Sequence, residues 1–188
     1  MHTISRDSPC YYLTSVARAR LPIFRTDEIK LVACAALDEA RRSGAFALYA
    51  YVIMSDHLHL ITNSHLSPAE TLRFVNGIIR RIIDYLKNHH YGSSLQKLRR
   101  EAGPRRHSYS LWDHHADARL LLTESMLMQR VTYTHQNPVR RGMVSYPQDY
   151  RWSSVRCWNR SMLDHEPLLM DLDQIKWRRS LERVKRFV

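Results

Sequence analysis

Two histidines stand two residues apart inside an apolar run, Tyr51-Val-Ile-Met-Ser-Asp-His-Leu-His-Leu-Ile-Thr62, and their types and spacing are suited to chemistry. On a β-strand, His57 and His59 project from one face while Leu58 packs on the other. Two neutral imidazoles side by side on a rigid strand make half of a metal site. A candidate second half lies downstream, in Val131-Thr-Tyr-Thr-His-Gln-Asn-Pro-Val-Arg-Arg-Gly-Met-Val144. There Tyr133 and Asn137 are one helical turn apart and share a face. Each residue alone has a plainer role. Paired histidines are commonly structural, a helix tyrosine commonly packs in the core with a wet hydroxyl, and asparagine before proline commonly stops a helix. Their combination points to a metal-assisted tyrosine nucleophile acting on a nucleic acid.

The charge balance supports that substrate class. Lys and Arg total 29 against 18 Asp and Glu, a net charge of +11. The basic residues cluster at Arg80-Arg81, at 97–107 (KLRREAGPRRH), at Arg140-Arg141 and at 176–186. Clustered charge of this sign attracts polyanions, and nucleic acid is the commonest one. Arg99, Arg100, Arg105, Arg106, Arg140, Arg141, Arg178 and Arg179 are the candidate nucleic-acid contacts, acting on phosphates rather than in catalysis. A membrane partner is not expected, because the basic C-terminal stretch has only a thin apolar face and no run reaches membrane-spanning length. Cys10, Cys34 and Cys157 are odd in number and widely spaced, so neither a disulfide framework nor a zinc knuckle is expected. The first residues lack an apolar export core, and a cytoplasmic, reduced protein is expected. No Walker loop or GxGxxG is present, which argues against a nucleotide cofactor. Asp171-Leu-Asp173 is the close acidic pair of two-metal spacing, and it reads better as the polar start of a C-terminal helix.

The elements that must position these residues follow from periodicity. With 188 residues, 44% hydrophobic and 25% charged, the chain has the size and composition of one ordered domain. Residues 10–16 read as a strand, and a helix follows over about 27–43 with Gly44 as its stop. Residues 46–54 and 57–62 read as an antiparallel hairpin turning at Ser55-Asp56. Ser67, Pro68 and Glu70 form a capping box for a helix running toward Lys87. Residues 88–107 lack periodicity and read as a loop, with short strands at 108–112 and 118–122. A last helix starts near Thr123-Glu124 and is expected to end close to Asn137, ahead of Pro138. The order β-α-β-β-α-β-α is that of a ferredoxin-like α+β fold, a split βαβ antiparallel sheet with packed helices.

The block Tyr133-Thr-His-Gln-Asn137-Pro-Val-Arg-Arg-Gly-Met-Val144, followed by Tyr150-Arg-Trp-Ser-Ser154, resembles the signature of the REP-associated tyrosine transposases. These are relatives of the single-tyrosine HUH transposases, which carry a His-hydrophobic-His strand like His57-Leu58-His59. The resemblance spans roughly Cys10 to Trp158, giving an HUH-type tyrosine transposase domain over 1–158 and a basic C-terminal helical tail over 159–188. Three departures stand out. Ser55-Asp56 occupies the place of the family's usual Pro-Asn, His114-His115-Ala116 follows Trp112 where an aromatic is common, and Thr134-His135-Gln136 is a variant filling. His135 and Gln136 are therefore rivals to Asn137 as a ligand.

The resemblance implies single-stranded DNA cleavage and strand transfer through a covalent phosphotyrosine, on hairpin-forming repetitive palindromic DNA. It implies Tyr133 as nucleophile and a divalent ion, Mg or Mn, on His57, His59 and Asn137. The partner would be single-stranded or hairpin DNA, with monomer and homodimer both open. Tyr85, Tyr91, Tyr109, Tyr146 and Tyr150 lack a candidate ligand four residues on with a stop signal behind it. The rival reading is a non-catalytic nucleic-acid-binding regulator with structural histidines. The two are separated by whether the Tyr133 hydroxyl and both imidazoles converge on one cleft.

Overall fold

Residues 1–63, 65–89, 91–99, 109–113 and 117–177 are described by the structure, a computed structural model. Strand β1 (Cys10–Val16) is followed by helix α1 (Asp27–Gly44) and the hairpin strands β2 (Leu48–Ile53) and β3 (His57–Asn63). Helices α2 (Pro68–Val75), α3 (Gly77–Asn88) and α4 (Gly92–Leu98) lead to β4 (Asp117–Leu121), then α5 (Glu124–Arg140) and the short α6 (Val155–Asn159). The sheet order is β2-β3-β1-β4, and every neighbouring pair is antiparallel. Two interleaved split βαβ units produce that order, so the fold is the ferredoxin-like one expected.

Helix starts obey local chemistry. The Thr26 hydroxyl accepts from Ile29 N at the head of α1, and acidic Asp27 and Glu28 fill the first turn. Ser67 and Glu70 cap α2 reciprocally, with Pro68 in the first turn. The helix expected to run on to Lys87 is broken at Asn76, where the weak helix formers Asn76 and Gly77 adjoin. Gly44 is still helical, and Ala45 takes the left-handed cap with φ 51°. Gly44 is small for another reason: a Cβ there would lie 2.8 Å from the Phe46 ring and 2.9 Å from Phe74.

The sheet divides two cores. On one face α1, α2 and α3 bury Leu13, Leu58 and Leu60. On the other, Leu127 and Val131 of α5 cover Cys10, Tyr12, Ile61 and Leu121. His57 and His59 share the parity of Ile61 and therefore face α5.

Several expectations are corrected. α5 runs through Pro138 to Arg140. A proline near a helix end forfeits one backbone bond, and Arg141 N and Met143 N still close onto the carbonyls of Asn137 and Pro138. The stretch read as a loop over 88–107 contains α4, and residues 100–108 lie outside the described residues. In place of a strand at 108–112 there are isolated bridges, Arg99 with Tyr109 and Ala17 with Trp112. Of the tail expected to be helical over 159–188, the described part holds the last residue of α6 and one 3-10 turn, Leu172–Gln174, and 178–188 lie outside the described residues. Asp171 leads only into that turn, and its carboxylate, instead of capping it, accepts from Leu48 N at 2.8 Å and pairs with Arg41. Ile175 is buried, its stretch bridges to His2, and Trp177 packs edge-on against Trp158. The three cysteines are free and buried. No helix among the described residues is long and apolar enough to cross a membrane.

Candidate active site

β3 and α5 bring the two sequence segments together. The His57 and His59 rings lie 5.0 Å apart, and the Tyr133 ring is 5.8 Å from His59 and edge-on to it. His57, His59, Tyr133, Asn137, Arg140 and Arg141 all line one cleft of about 520 Å³. The α5 residues in that lining are Arg130, Tyr133, Asn137 and Arg140, with Arg141 as the C-cap, a stripe at helical spacing beside the packing stripe of Leu127, Val131 and Pro138. Because the helix does not stop at Asn137, that asparagine stays one turn below Tyr133.

Sheet register supplies residues that sequence reasoning missed. Thr14 is directly opposite His59, and Val16 opposite His57, so Tyr12, Thr14 and Val16 share the histidines' face. β4 pairs Arg119 with Tyr12 and Asp117 with Thr14, which brings both charged side chains into the cleft. Alternation along β1 marks Tyr12 and Thr14 as one face; their pairing with β3 and β4 is long-range and has no local signal.

Both imidazoles are held through their Nδ1 atoms. His59 Nδ1 is 2.8 Å from the Tyr12 hydroxyl and 3.0 Å from Thr14 Oγ1, and the Tyr12 ring stacks on His59. His57 Nδ1 is 2.6 Å from Asp56 Oδ1, and Arg20 reaches the other carboxylate oxygen at 3.3 Å. Burial holds His59 down to about 3, helped by the nearby charges of His57, Arg130 and Arg20, so this ring is neutral at ordinary pH. Burial pushes the Asp56 carboxyl up, but the hydrogen bond and charge of His57, and then those of Arg20, outweigh it and leave Asp56 below the usual carboxylate range. Burial drives the Tyr12 hydroxyl upward, so it stays a neutral hydroxyl whose oxygen, like that of Thr14, can accept from His59 Nδ1–H.

The donor set fits a divalent ion. With each Nδ1 engaged by the protein, the Nε2 lone pairs are the ones left to bind metal, a common arrangement for ligating histidines. No described residue hydrogen-bonds the Asn137 side-chain amide. His57, His59 and Asn137 are the residues that would hold the ion. No group of three His, Cys, Asp or Glu residues suited to a metal occurs among the described residues.

Positive charge surrounds the tyrosine. The Arg140 guanidinium lies 4.9 Å from the Tyr133 ring centroid, and that of Arg130 lies 5.8 Å from it. Arg130, Arg119 and Arg20 join the cleft unannounced by any basic run in the sequence. Arg99 is exposed outside that lining, its carbonyl accepting from Arg18. Arg100, Arg105, Arg106, Arg178 and Arg179 lie outside the described residues.

The rivals are placed elsewhere. His135 is buried on the opposite side of α5, with Nε2 3.0 Å from Ser154 Oγ, and burial alone holds it down to about 3. It is a packing residue, not a rival ligand. Gln136 is outside the cleft lining. The Tyr150 hydroxyl donates to the Ile53 carbonyl at 2.7 Å. The Trp-Ser-Ser block is structural: Ile53 N donates to the Trp152 carbonyl, Ser154 N to Tyr51, and Tyr51 N to Ser154 Oγ. It closes the free edge of β2 and ties it to α5 through His135.

No protein-family model and no curated protein matches the chain by sequence. Among solved structures, a REP-associated tyrosine transposase bound to a REP hairpin is similar with a TM-score of 0.60 and 15% identity, over 92% of this chain and 90% of that one. A candidate transposase from Deinococcus radiodurans R1 is similar at 19% identity and a TM-score of 0.41, over 67% of this chain and 88% of that one. At 15% identity the first likeness is one of fold, and the chain has the fold of a REP-associated tyrosine transposase over nearly its whole length.

Proposed function

We propose that this protein is a metal-dependent DNA-cleaving and rejoining enzyme of the single-tyrosine HUH type, acting on single-stranded or hairpin DNA. The observation that carries the reading is the convergence of Tyr133, His57 and His59 on one arginine-lined cleft. A structural use of the histidines would not require a tyrosine, an asparagine and cationic side chains to gather beside them.

The chemistry follows from the chain's own groups. The Tyr133 oxygen attacks the scissile phosphorus, and the bond to the departing sugar oxygen breaks, leaving a phosphotyrosine link and a free DNA end. That link stores the energy of the broken bond, so strand transfer needs no nucleotide cofactor. Arg130 and Arg140, beside the Tyr133 ring, offset the charge on the phosphate and on the attacking oxygen. A divalent ion, Mg or Mn, held by His57, His59 and Asn137 would keep its full charge on three neutral ligands and polarise the phosphate. The likeness to a transposase that binds a REP hairpin supports hairpin DNA as partner.

The test is incubation with labelled hairpin DNA and Mn²⁺ followed by denaturing electrophoresis. A covalent protein–DNA adduct is the expected result. Tight DNA binding with no adduct under any metal would overturn the reading and identify a non-catalytic nucleic-acid-binding regulator.

A further inference from the structure

We infer that Asp56, clamped by Arg20, is the positioning residue that fixes the tautomer and aim of His57, a role built on this chain's departure from the usual asparagine at that place. The inference rests on the metal-ligand reading of His57 and adds a group that acts through it.

The geometry is specific. An ionised carboxylate only accepts hydrogen bonds, so the 2.6 Å contact from Asp56 Oδ1 places the proton on His57 Nδ1. The lone pair is then on Nε2, the nitrogen left to meet a metal in the cleft. A carboxylate behind a ligating imidazole also raises its basicity, which an uncharged amide does less well. Asp56's other oxygen accepts from Arg20 at 3.3 Å, so the carboxylate bridges the imidazole and a partly exposed guanidinium.

The backbone around this trio is locked from both sides. Ala17 N donates to the Asp56 carbonyl at 2.8 Å, Phe24 N to Ser55 at 2.9 Å, and Met54 N to His57 at 2.8 Å. Between those anchors, Ala19 and Arg20 both adopt left-handed backbone, with φ of 51° and 55°. Residues with a Cβ pay for that conformation and hold it only where the surroundings demand it. Here it directs Arg20 across to the carboxylate and into the cleft wall. Arg20 is a poor candidate for an incidental surface pair, since two strained residues in succession are spent on its course.

The test compares wild type with Asp56→Ala, Asp56→Asn and Arg20→Ala in two measurements. Nitrogen-15 NMR of the metal-free protein reads the His57 tautomer, and titration calorimetry with Mn²⁺ reads affinity. Wild type should show one His57 form, protonated on Nδ1, and Asp56→Ala should let the proton distribute over both nitrogens. Mn²⁺ affinity should fall by about 10–100-fold in Asp56→Ala, the usual effect of removing a group behind a metal ligand. Asp56→Asn keeps an acceptor oxygen and the side chain's shape, so it should preserve the tautomer while lowering affinity less. Arg20→Ala should lower affinity by no more than Asp56→Ala. An Asp56→Ala or Asp56→Asn protein with wild-type tautomer and wild-type Mn²⁺ affinity overturns the inference, whatever its melting temperature. Wild type that binds Mn²⁺ normally alongside such variants removes this inference alone. Wild type that binds no Mn²⁺ removes the metal reading of the site and this inference with it.

Discussion

Tyr133→Phe isolates the proposed nucleophile with little collateral damage, and its size can be worked from contacts. The ring of Tyr133 is edge-on to Tyr12 at 6.4 Å and to His59 at 5.8 Å, and it is flanked by Arg130 and Arg140. All of those contacts survive in phenylalanine. The hydroxyl has no hydrogen-bond partner among the described residues, so its loss should change stability by less than about 0.5 kcal/mol. In a chain this long that is roughly 1–2 °C in melting temperature. Loss of an enzyme nucleophile costs on the order of 10⁶ in rate, so the adduct with labelled hairpin DNA should vanish while binding remains. Tyr12→Phe is the informative control. Its hydroxyl is buried and bonded to His59, so removing it should cost about 1 kcal/mol and weaken adduct formation without abolishing it. An adduct that persists in Tyr133→Phe refutes the assignment. The next tyrosine to test would be Tyr12, which lines the cleft, and not Tyr150, whose hydroxyl is committed to Ile53.

Replacing Arg140 and Arg141 together by Ala should flatten the log–log salt dependence of single-strand binding by about 1.4, at ~0.7 per phosphate contact, read by titration at several salt concentrations. Acid should destabilise the fold through His135: burial holds its folded pKa near 3 against an ordinary 6.5, so the unfolded chain takes up the proton first as pH falls below 6.5. The stability of the neutral form is complete above pH 6.5 and declines by about 1.4 kcal/mol per pH unit below it, so denaturant melts of His135→Gln should show roughly 2 kcal/mol less loss than wild type between pH 6.5 and 5. Truncation after Asp173 removes buried Ile175 and the Trp177 contact, and should lower stability by about 3 kcal/mol or more in denaturant melts, whereas truncation after Trp177 spares both. The second truncation, not the first, is the one whose salt slope reports whether 178–188 touches DNA.

Local patterns made much of this legible in the sequence. β1 has the bounds that its β-formers predict, the Ser67 box caps α2, and the His57–His59 parity and Tyr133–Asn137 spacing place each pair on one face. What failed was the use of a local rule where tertiary packing prevails. Pro138 does not end α5, because Leu127, Val131 and His135 already hold that helix against the sheet and the Trp-Ser-Ser block. Gly44 does end α1, but the left-handed cap falls on Ala45, and Gly44 is small because the Phe46 and Phe74 rings leave no room for a Cβ. The start of the tail looked helical, but the packing of Ile175 and Trp177 on the second core leaves Ile175 extended beside the N-terminus, while 178–188 lie outside the described residues. Tyr12, Thr14, Asp117, Arg119 and Arg20 were invisible because strand register and a left-handed turn, not spacing, deliver them to the cleft.

The distribution of charge within the cleft argues for where a phosphate would settle. Of the arginines lining it, Arg20 is paired with Asp56 and Arg119 with Asp117. Arg130, Arg140 and Arg141 have no carboxylate partner among the described residues, and all three are on or just past α5, the helix of Tyr133. Arg140 and Arg141 sit at its C-terminal end, where the helix dipole favours cations and lowers the cost of keeping them close together. Their charges therefore remain available to an incoming polyanion, while those nearer the histidines are already spoken for. On the proposed DNA substrate, a backbone drawn by that field would be led first to the face carrying Tyr133, since Asp56 and Asp117 are each paired with an arginine. Uncompensated charge thus sits on the same helical stripe as the proposed nucleophile, where it would hold a phosphate beside the Tyr133 hydroxyl.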